Sequence, residues 1–166
     1  MNMEERFRTI RIHPDGAQLV CCEQPCMLLV VILTILAGWD GLLPHAATMP
    51  LLIIMGCLVL YLLFRYMYLT RMVFVINGEQ IMHEHGIFTT QRDYIELYRI
   101  VDYSEHRSFL QMMIGLKTIS IYSGDRTCPR LDIIGVSEKN EIIPELRHRV
   151  EVNKARRNIH EFTNMQ

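Results

Sequence analysis

The chain has 166 residues, 50% of them hydrophobic, and its 17 basic and 18 acidic residues give a formal net charge of -1. This length predicts one small domain, and the high hydrophobic content predicts an additional apolar segment. The balanced charge argues against a general nucleic-acid-binding protein. Five cysteines without CxxC pairs argue against a disulfide-stabilised secreted domain: Cys21, Cys22, Cys26, Cys57 and Cys128.

Two apolar runs occupy the first half of the chain, at residues 25–44 and 50–64, and Asp40 is their only charged residue. At about 1.5 Å of rise per helical residue, each run nearly crosses a hydrocarbon core about 30 Å thick. The rest of the chain is too short to bury two helices that are apolar on all faces. We therefore predict a transmembrane helical hairpin over residues 25–66, with helices at about 25–43 and 48–66.

The flanks of these runs predict the topology. A short polar turn at residues 38–41 contains Trp39, and no small-residue cleavage site follows the first run, which argues against a signal peptide. Basic residues occur before the first run and after the second but not at 38–49: Arg6, Arg8, Arg11, Arg65 and Arg71. The positive-inside rule then places both termini, including an N-terminal segment at 1–24, on the cytoplasmic side of an inner membrane.

Short alternating runs at residues 69–136 predict an antiparallel β-domain with half-buried strands. Predicted strands at 72–76 and 79–84 flank Asn77-Gly78, a strong hairpin signal. Later strands are predicted at 87–92, at 94–103 as one strand or a bulged pair, at 117–123 with Ile119 and Ile121 on one face, and at 130–134.

Residues 108–116 are predicted to form a helical turn or loop. Met112 and Met113 within it are interpreted as side chains that fill gaps in the core, with an adaptable binding surface as the alternative.

A capping helix is predicted at residues 137–160. Asn140 is the favoured N-cap, and Pro144 fits a helix only within its first turn. Ile142, Leu146 and Val150 recur every four residues, so this face should pack on an open end of the sheet.

Basic residues dominate the second half of this helix and its tail, against the single acid Glu151. Such a run is ordinarily a solvated helix face, but it is also a candidate contact for anionic headgroups or a partner protein. The candidate contact residues are Arg147, Arg149, Lys154, Arg156 and Arg157.

The whole arrangement resembles bacterial PH-like (pleckstrin-homology-like) domain proteins with an N-terminal two-helix membrane anchor. The matching features are hydrophobic spacings and glycines: the 70–76 strand, Gly86-Ile87, the spacing of Ile95, Leu97 and Ile100, and Gly115 after an apolar helical turn. The resemblance implies an α+β membrane protein whose hairpin precedes a PH-like antiparallel β-sandwich or partly open barrel, capped by the C-terminal helix. It also implies binding or assembly without enzyme activity or a cofactor.

His83-Glu84-His85 is the strongest candidate for metal chemistry, because alternate residues of a strand share one face. A third ligand would have to approach through folding, and His106, Glu96 and Asp93 are the candidates. Surface-exposed histidines beside a turn are the favoured interpretation, so no metal is assigned.

The predicted function is a cytoplasmic, membrane-anchored binding or scaffold module that self-associates or docks to a protein. An accessory subunit of a larger envelope secretion, conjugation or transport complex is the alternative. Candidate docking surfaces are the exposed face of residues 117–122, an edge strand and the basic helix. Phosphoinositide binding is disfavoured because the hairpin turn at 76–79 contains no basic residue.

Overall fold

The computed structural model describes residues 7–38 and 45–157. In chain order the elements are β1 (Ile10–Ile12), α1 (Gln18–Cys22), α2 (Gln24–Gly38), α3 (His45–Arg71), β2 (Val73–Ile76), β3 (Gln80–His85), β4 (Gln91–Glu96), a 3₁₀ turn (Leu97–Arg99), β5 (Ile100–His106), α4 (Phe109–Ile114), β6 (Leu116–Ser123), β7 (Arg130–Ser137) and α5 (Ile142–Arg156).

Among the described residues, one helix is long and apolar enough to cross a membrane: α3, over Thr48–Arg71. It continues past the predicted end at residue 66. The second apolar helix, α2, has 15 residues, fewer than the roughly 20 that a span ordinarily needs. The predicted turn containing Trp39 and Asp40 lies outside the described residues, as does the end of the predicted first span.

The two apolar helices pack along one face. The half-buried residues of α3 recur at intervals of three and four, as helix–helix packing requires: Leu51, Met55, Leu58 and Leu62. Thr34 Oγ1 of α2 lies 3.6 Å from Met55 Sδ. The other faces of α3 are apolar and exposed, including Ile53 and Leu60, and none of its apolar window is buried. The described residues therefore do not bury this helix as they would a core helix.

The strands form two antiparallel sheets, ordered β1-β2-β3-β4 and β5-β6-β7. Alternate apolar side chains from both sheets meet in one core together with α5, which confirms an α+β fold with antiparallel sheets. The fully buried strand residues of this core are Phe74, Ile76, Ile81, Ile95, Ile100, Ile119, Ile121, Ile133 and Val136. The predicted shared face of Ile119 and Ile121 is among them.

The first strand was not predicted. Residues of β1 pair with β2, with Ile10 opposite Ile76 and Ile12 opposite Phe74. A strand of three residues is too short to show a period of two in the sequence. It nevertheless joins the chain before α2 to the chain after α3.

Two details of the β3 hairpins differ from the prediction. Asn77 N donates to Gln80 O at 2.9 Å, so the central turn residues are Gly78 and Glu79 rather than Asn77 and Gly78. The strand predicted at 87–92 is wrong, because residues 86–90 form a turn and β4 begins at Gln91. Gly86 causes this reversal: its φ of +119° is a conformation that side-chain-bearing residues rarely adopt.

Helix α5 begins with Glu141 at its N-cap position, without a side-chain cap, so the predicted Asn140 cap is wrong. Pro144 lies in the first turn, as predicted. Ile142, Leu146 and Val150 are all buried in the core, which confirms the predicted packing face.

Arg149 extends from α5 into the interior. Its side chain is 2% exposed and lies 2.9 Å from a Glu145 carboxylate oxygen. The guanidinium donates to the carbonyls of Ile76 and Asn77 at 3.2 and 3.3 Å and to the carbonyl of Arg8 at 2.7 Å. Arg149 is therefore not available as the predicted membrane or partner contact.

We expect Arg149→Met to lower the free energy of unfolding by about 3 kcal/mol or more, because each buried carbonyl left without a donor costs about 1–3 kcal/mol. The exposed Arg147→Met is the matched control, expected within about 0.5 kcal/mol of the parent. Urea unfolding of the full chain in detergent measures both. Equal midpoints for the two variants would contradict the structural role of Arg149.

Candidate functional site

A polar group connects the two apolar helices near the β-domain. Arg65 Nε lies 2.6 Å from Glu23 Oε1, and the Tyr61 hydroxyl donates to Glu23 Oε2 at 3.3 Å. Glu23 immediately precedes α2, and Arg65 lies near the C-terminal end of α3. This ion pair therefore marks the level at which both helices change from apolar to polar.

A cluster of two histidines and an aspartate lies on the inner side of the first sheet. His83 and His85 share one face of β3, and Asp93 stands directly opposite His83 on β4. Asp93 Oδ2 lies 3.8 Å from the Nδ1 atom of each histidine. The three potential ligand atoms lie within 4.8 Å of one another.

Both histidines are packed rather than exposed. The His83 ring stacks on Phe74 at 4.5 Å and on His85 at 4.6 Å, and Tyr68 at the end of α3 meets His85 edge-on at 6.4 Å. Their side chains are 15% and 20% exposed, so the prediction of surface histidines is wrong. His83 Nε2 and His85 Nδ1 are buried, and no described residue forms a hydrogen bond with either atom.

Of the three proposed third ligands, the structure brings Asp93 to the histidines. Glu96 instead accepts a hydrogen bond from Arg99 at 2.9 Å. His106 ends β5, in the other sheet. Strand register explains why Asp93, rather than Glu96 or His106, lies beside the histidines. Directly opposed positions on neighbouring strands place their Cβ atoms about 5 Å apart.

The chemistry of this cluster follows from its burial. Burial lowers the pKa of His83, the neighbouring His85 lowers it further, and Asp93 opposes both effects. A neutral imidazole is the form that binds metals.

The orientation of the two imidazole rings does not suit a shared metal ion. The rings are only 25° from parallel, so their in-plane lone pairs do not meet at one point. The cluster could hold a metal ion only after one ring rotates.

The remaining predicted contact residues on α5 and its end lie at or near the surface. Arg147 is exposed and Lys154 is half-buried. Arg156 pairs with Glu79 at 2.9 Å, and the Arg157 guanidinium lies 4.0 Å from the centre of the Tyr98 ring. These four basic residues remain predicted contacts for a membrane or a partner, and Arg149 is removed from that set.

The predicted docking face at residues 117–122 is smaller than expected. Lys117 and Ser120 are buried, because Lys117 Nζ pairs with Glu105 at 3.0 Å and the Ser120 hydroxyl accepts from Arg130 at 3.2 Å. A period of two in β6 therefore does not separate buried from exposed residues, because the ion pair with Glu105 covers Lys117 and the Arg130 side chain covers Ser120.

One exposed apolar feature was missed, and a second was considered only as the alternative for Met112 and Met113. Phe88, in the turn between β3 and β4, is 92% exposed. On α4, Phe109, Met112 and Met113 form an exposed apolar face, so the interpretation of these methionines as core residues is wrong. The spacing of residues 109, 112 and 113 was the available signal, since these positions share one helical face.

We expect the protein to lose stability as the pH falls below about 6.5, the ordinary pKa of histidine. The folded state holds the pKa of His83 below that value, so the unfolded state takes up the proton more readily. His83→Gln should flatten the fall in unfolding midpoint between about pH 7.5 and 5.5. The exposed His13→Gln is the control, and equal pH dependence in both variants would exclude this role for His83.

Comparison with protein families identifies the chain. The model of the family described as "Bacterial PH domain" matches residues 26–162, a range that includes most of α2 and all of α3, β2 to β7 and α5. The chain has no significant match among curated proteins or solved structures. The two antiparallel sheets and the terminal helix agree with the family match. Because that match covers most of the sequence, the chain belongs to the bacterial PH domain family.

Proposed function

We propose that this protein is a PH-like binding module, anchored by a transmembrane hairpin on the cytoplasmic face of the inner membrane, that self-associates or docks to another protein. PH-like domains are generally non-catalytic binding modules, which supports binding rather than catalysis. The family match is thus the basis for the binding role, and the arrangement of the helices is the basis for the anchor.

The pairing of β1 with β2 is the main observation that supports a transmembrane hairpin. Residues Ile10–Ile12 precede α2, and their partners Phe74–Ile76 follow α3. Paired strands lie on the same side of any membrane. If α3 crosses the bilayer, the chain must therefore cross an even number of times between β1 and β2, and α2 lies in the apolar segment available for the second crossing.

The surfaces of the helices support the same proposal. The apolar faces of α3 that do not touch α2 are exposed from Met49 to Phe64. Soluble proteins rarely leave a continuous apolar surface of this extent in water. The stretch from Thr48 to Phe64 has a length of about 25 Å at 1.5 Å per residue, close to the hydrocarbon thickness of a bilayer. The Glu23–Arg65 pair then lies at the boundary.

Docking of a protein is favoured over recognition of an inositol lipid. The turn between β2 and β3 already engages α5: Asn153 Nδ2 donates to Gly78 O at 2.7 Å, and Arg156 pairs with Glu79. In contrast, β5 forms an edge of its sheet and exposes Val101. An edge strand of this kind can accept a strand from a partner.

The topology can be tested by thiol labelling of the full chain with its native cysteines replaced by serine. We expect single cysteines introduced by Arg11→Cys and Arg126→Cys to react with a membrane-impermeant maleimide in inside-out vesicles and to be protected in intact spheroplasts. Asp40→Cys is the complementary control and should react from the outside. Labelling of positions 11 and 126 from opposite sides would refute the hairpin.

Native mass spectrometry of the protein released gently from its own membranes tests the binding role. We expect a homo-oligomer or a defined complex with a second protein. A homo-oligomer would support self-association, and a fixed stoichiometry with proteins of a larger envelope assembly would support the accessory-subunit alternative. A monomer without any protein partner would contradict the proposed function.

A further inference from the structure

We propose that the β-domain inserts two apolar features into the membrane interface beside its anchor: the turn at residues 86–90, called here the Phe88 turn, and the exposed face of α4 formed by Phe109, Met112 and Met113. The occupant of both surfaces is the lipid bilayer. This inference rests on the proposed membrane anchoring, and it adds a fixed orientation of the domain against the membrane.

The Phe88 turn lies alongside the anchor helix. The rings of Phe88 and Phe64 stack with their centres 6.5 Å apart, and Phe64 belongs to the apolar span of α3. The turn 86–90 contains no charged residue. The Phe88 side chain is almost fully exposed, so the contact with Phe64 leaves most of its ring available to another apolar environment.

The depth of Phe88 follows from its neighbour. Phe64 directly precedes Arg65, whose ion pair with Glu23 marks the change from apolar to polar surface on both helices. A ring beside Phe64 therefore lies where the hydrocarbon meets the headgroups. Tyr61 and Tyr66 on the same part of α3 are exposed as well, and aromatic side chains are enriched at this level of membrane proteins.

Helix α4 is attached beside the start of the other apolar helix. Gln111 Nε2 donates to Gln18 Oε1 at 3.0 Å, and Gln18 begins α1, which leads through Glu23 into α2. Gln111 also donates to Thr118 Oγ1 at 2.8 Å. The polar side of α4 is thus fixed to the N-terminal chain and to β6.

The apolar face of α4 is held outward by a rigid frame. Ser108 and Gln111 form a reciprocal capping box, and Gly115 ends the helix in the left-handed conformation with a φ of +69°. Phe109 and Met113 are 71% and 70% exposed. Because the backbone is already ordered, this face can enter an apolar phase without first folding.

Lipid is favoured over a protein as the occupant because both features are continuous with the proposed anchor. One feature contacts α3 and the other is bonded to the segment that leads into α2. Only Met72 separates α3 from β2, and Met72 is buried with its amide bonded to Leu69 O at 3.2 Å. This short, ordered connection keeps the domain close to the bilayer surface.

Tryptophan quenching in liposomes of the full chain tests the inference. Trp39, the single native tryptophan, is replaced by phenylalanine, and one tryptophan is introduced by Phe88→Trp, Met113→Trp, Leu60→Trp or Arg126→Trp. Leu60 is an exposed residue of the span. Arg126 lies in the loop after β6, at the opposite end of that strand from α4, about 25 Å away along eight residues.

With lipids brominated near the top of the acyl chains, we expect the Phe88→Trp and Met113→Trp proteins to lose at least half of their fluorescence, as the Leu60→Trp protein does. The Arg126→Trp protein should lose little. If the span probe is quenched but either interface probe behaves like the Arg126 control, the proposed insertion is overturned, and a protein partner becomes the candidate for that surface. If the span probe is not quenched, the anchoring proposal itself fails.

Discussion

The guanidinium of Arg149 holds together three parts of the chain that are distant in sequence. It donates to the carbonyl of Arg8 in the N-terminal segment and to the carbonyls of Ile76 and Asn77 at the end of β2, while its own helix α5 packs on the core. A planar group with five donors suits this task, because several carbonyls must be satisfied at once. The consequence extends to the apolar helices: by holding the N-terminal segment beside β2, Arg149 supports the pairing that brings the chain before α2 and the chain after α3 into one domain.

The two ends of the β-domain differ in chemistry. At the end away from α3, backbone carbonyls accept hydrogen bonds from Arg149 and Asn153, and the charged side chains of Glu79 and Arg156 are exposed. At the end near α3, the inner face of the first sheet becomes polar at His83 and Asp93. Apolar side chains occur there on the outside instead. If the apolar helices anchor the domain, this reversal places apolar side chains against lipid rather than water, where their transfer is favourable.

Periodicity and composition predicted what depends on local chain chemistry. The apolar helix, the alternation that buries Ile119 and Ile121, and the spacing of Ile142, Leu146 and Val150 follow from the side chains themselves. The burial of Arg149 does not follow from local sequence, because a basic residue on a helix is buried only when carbonyls distant in sequence accept its hydrogen bonds. The His83–Asp93 contact likewise depends on register between strands, although Asp93 was one of the candidates. A strand as short as β1 has no periodicity to detect, and its partner lies beyond both apolar helices.

The short connection between α3 and the β-domain bears on how the proposed binding module would work. Because Met72 alone separates α3 from β2, hairpin insertion would bring the domain to the bilayer without any recognition of lipid headgroups. The β2–β3 turn then need not bind headgroups, and its carbonyls accept hydrogen bonds from side chains of α5. If the Phe88 turn and the α4 face rest in the interface, the domain cannot rotate about its anchor. Edge strand β5 and the exposed basic residues of α5 would then be presented to the cytoplasm in a fixed orientation, which reduces the entropy lost when a partner docks.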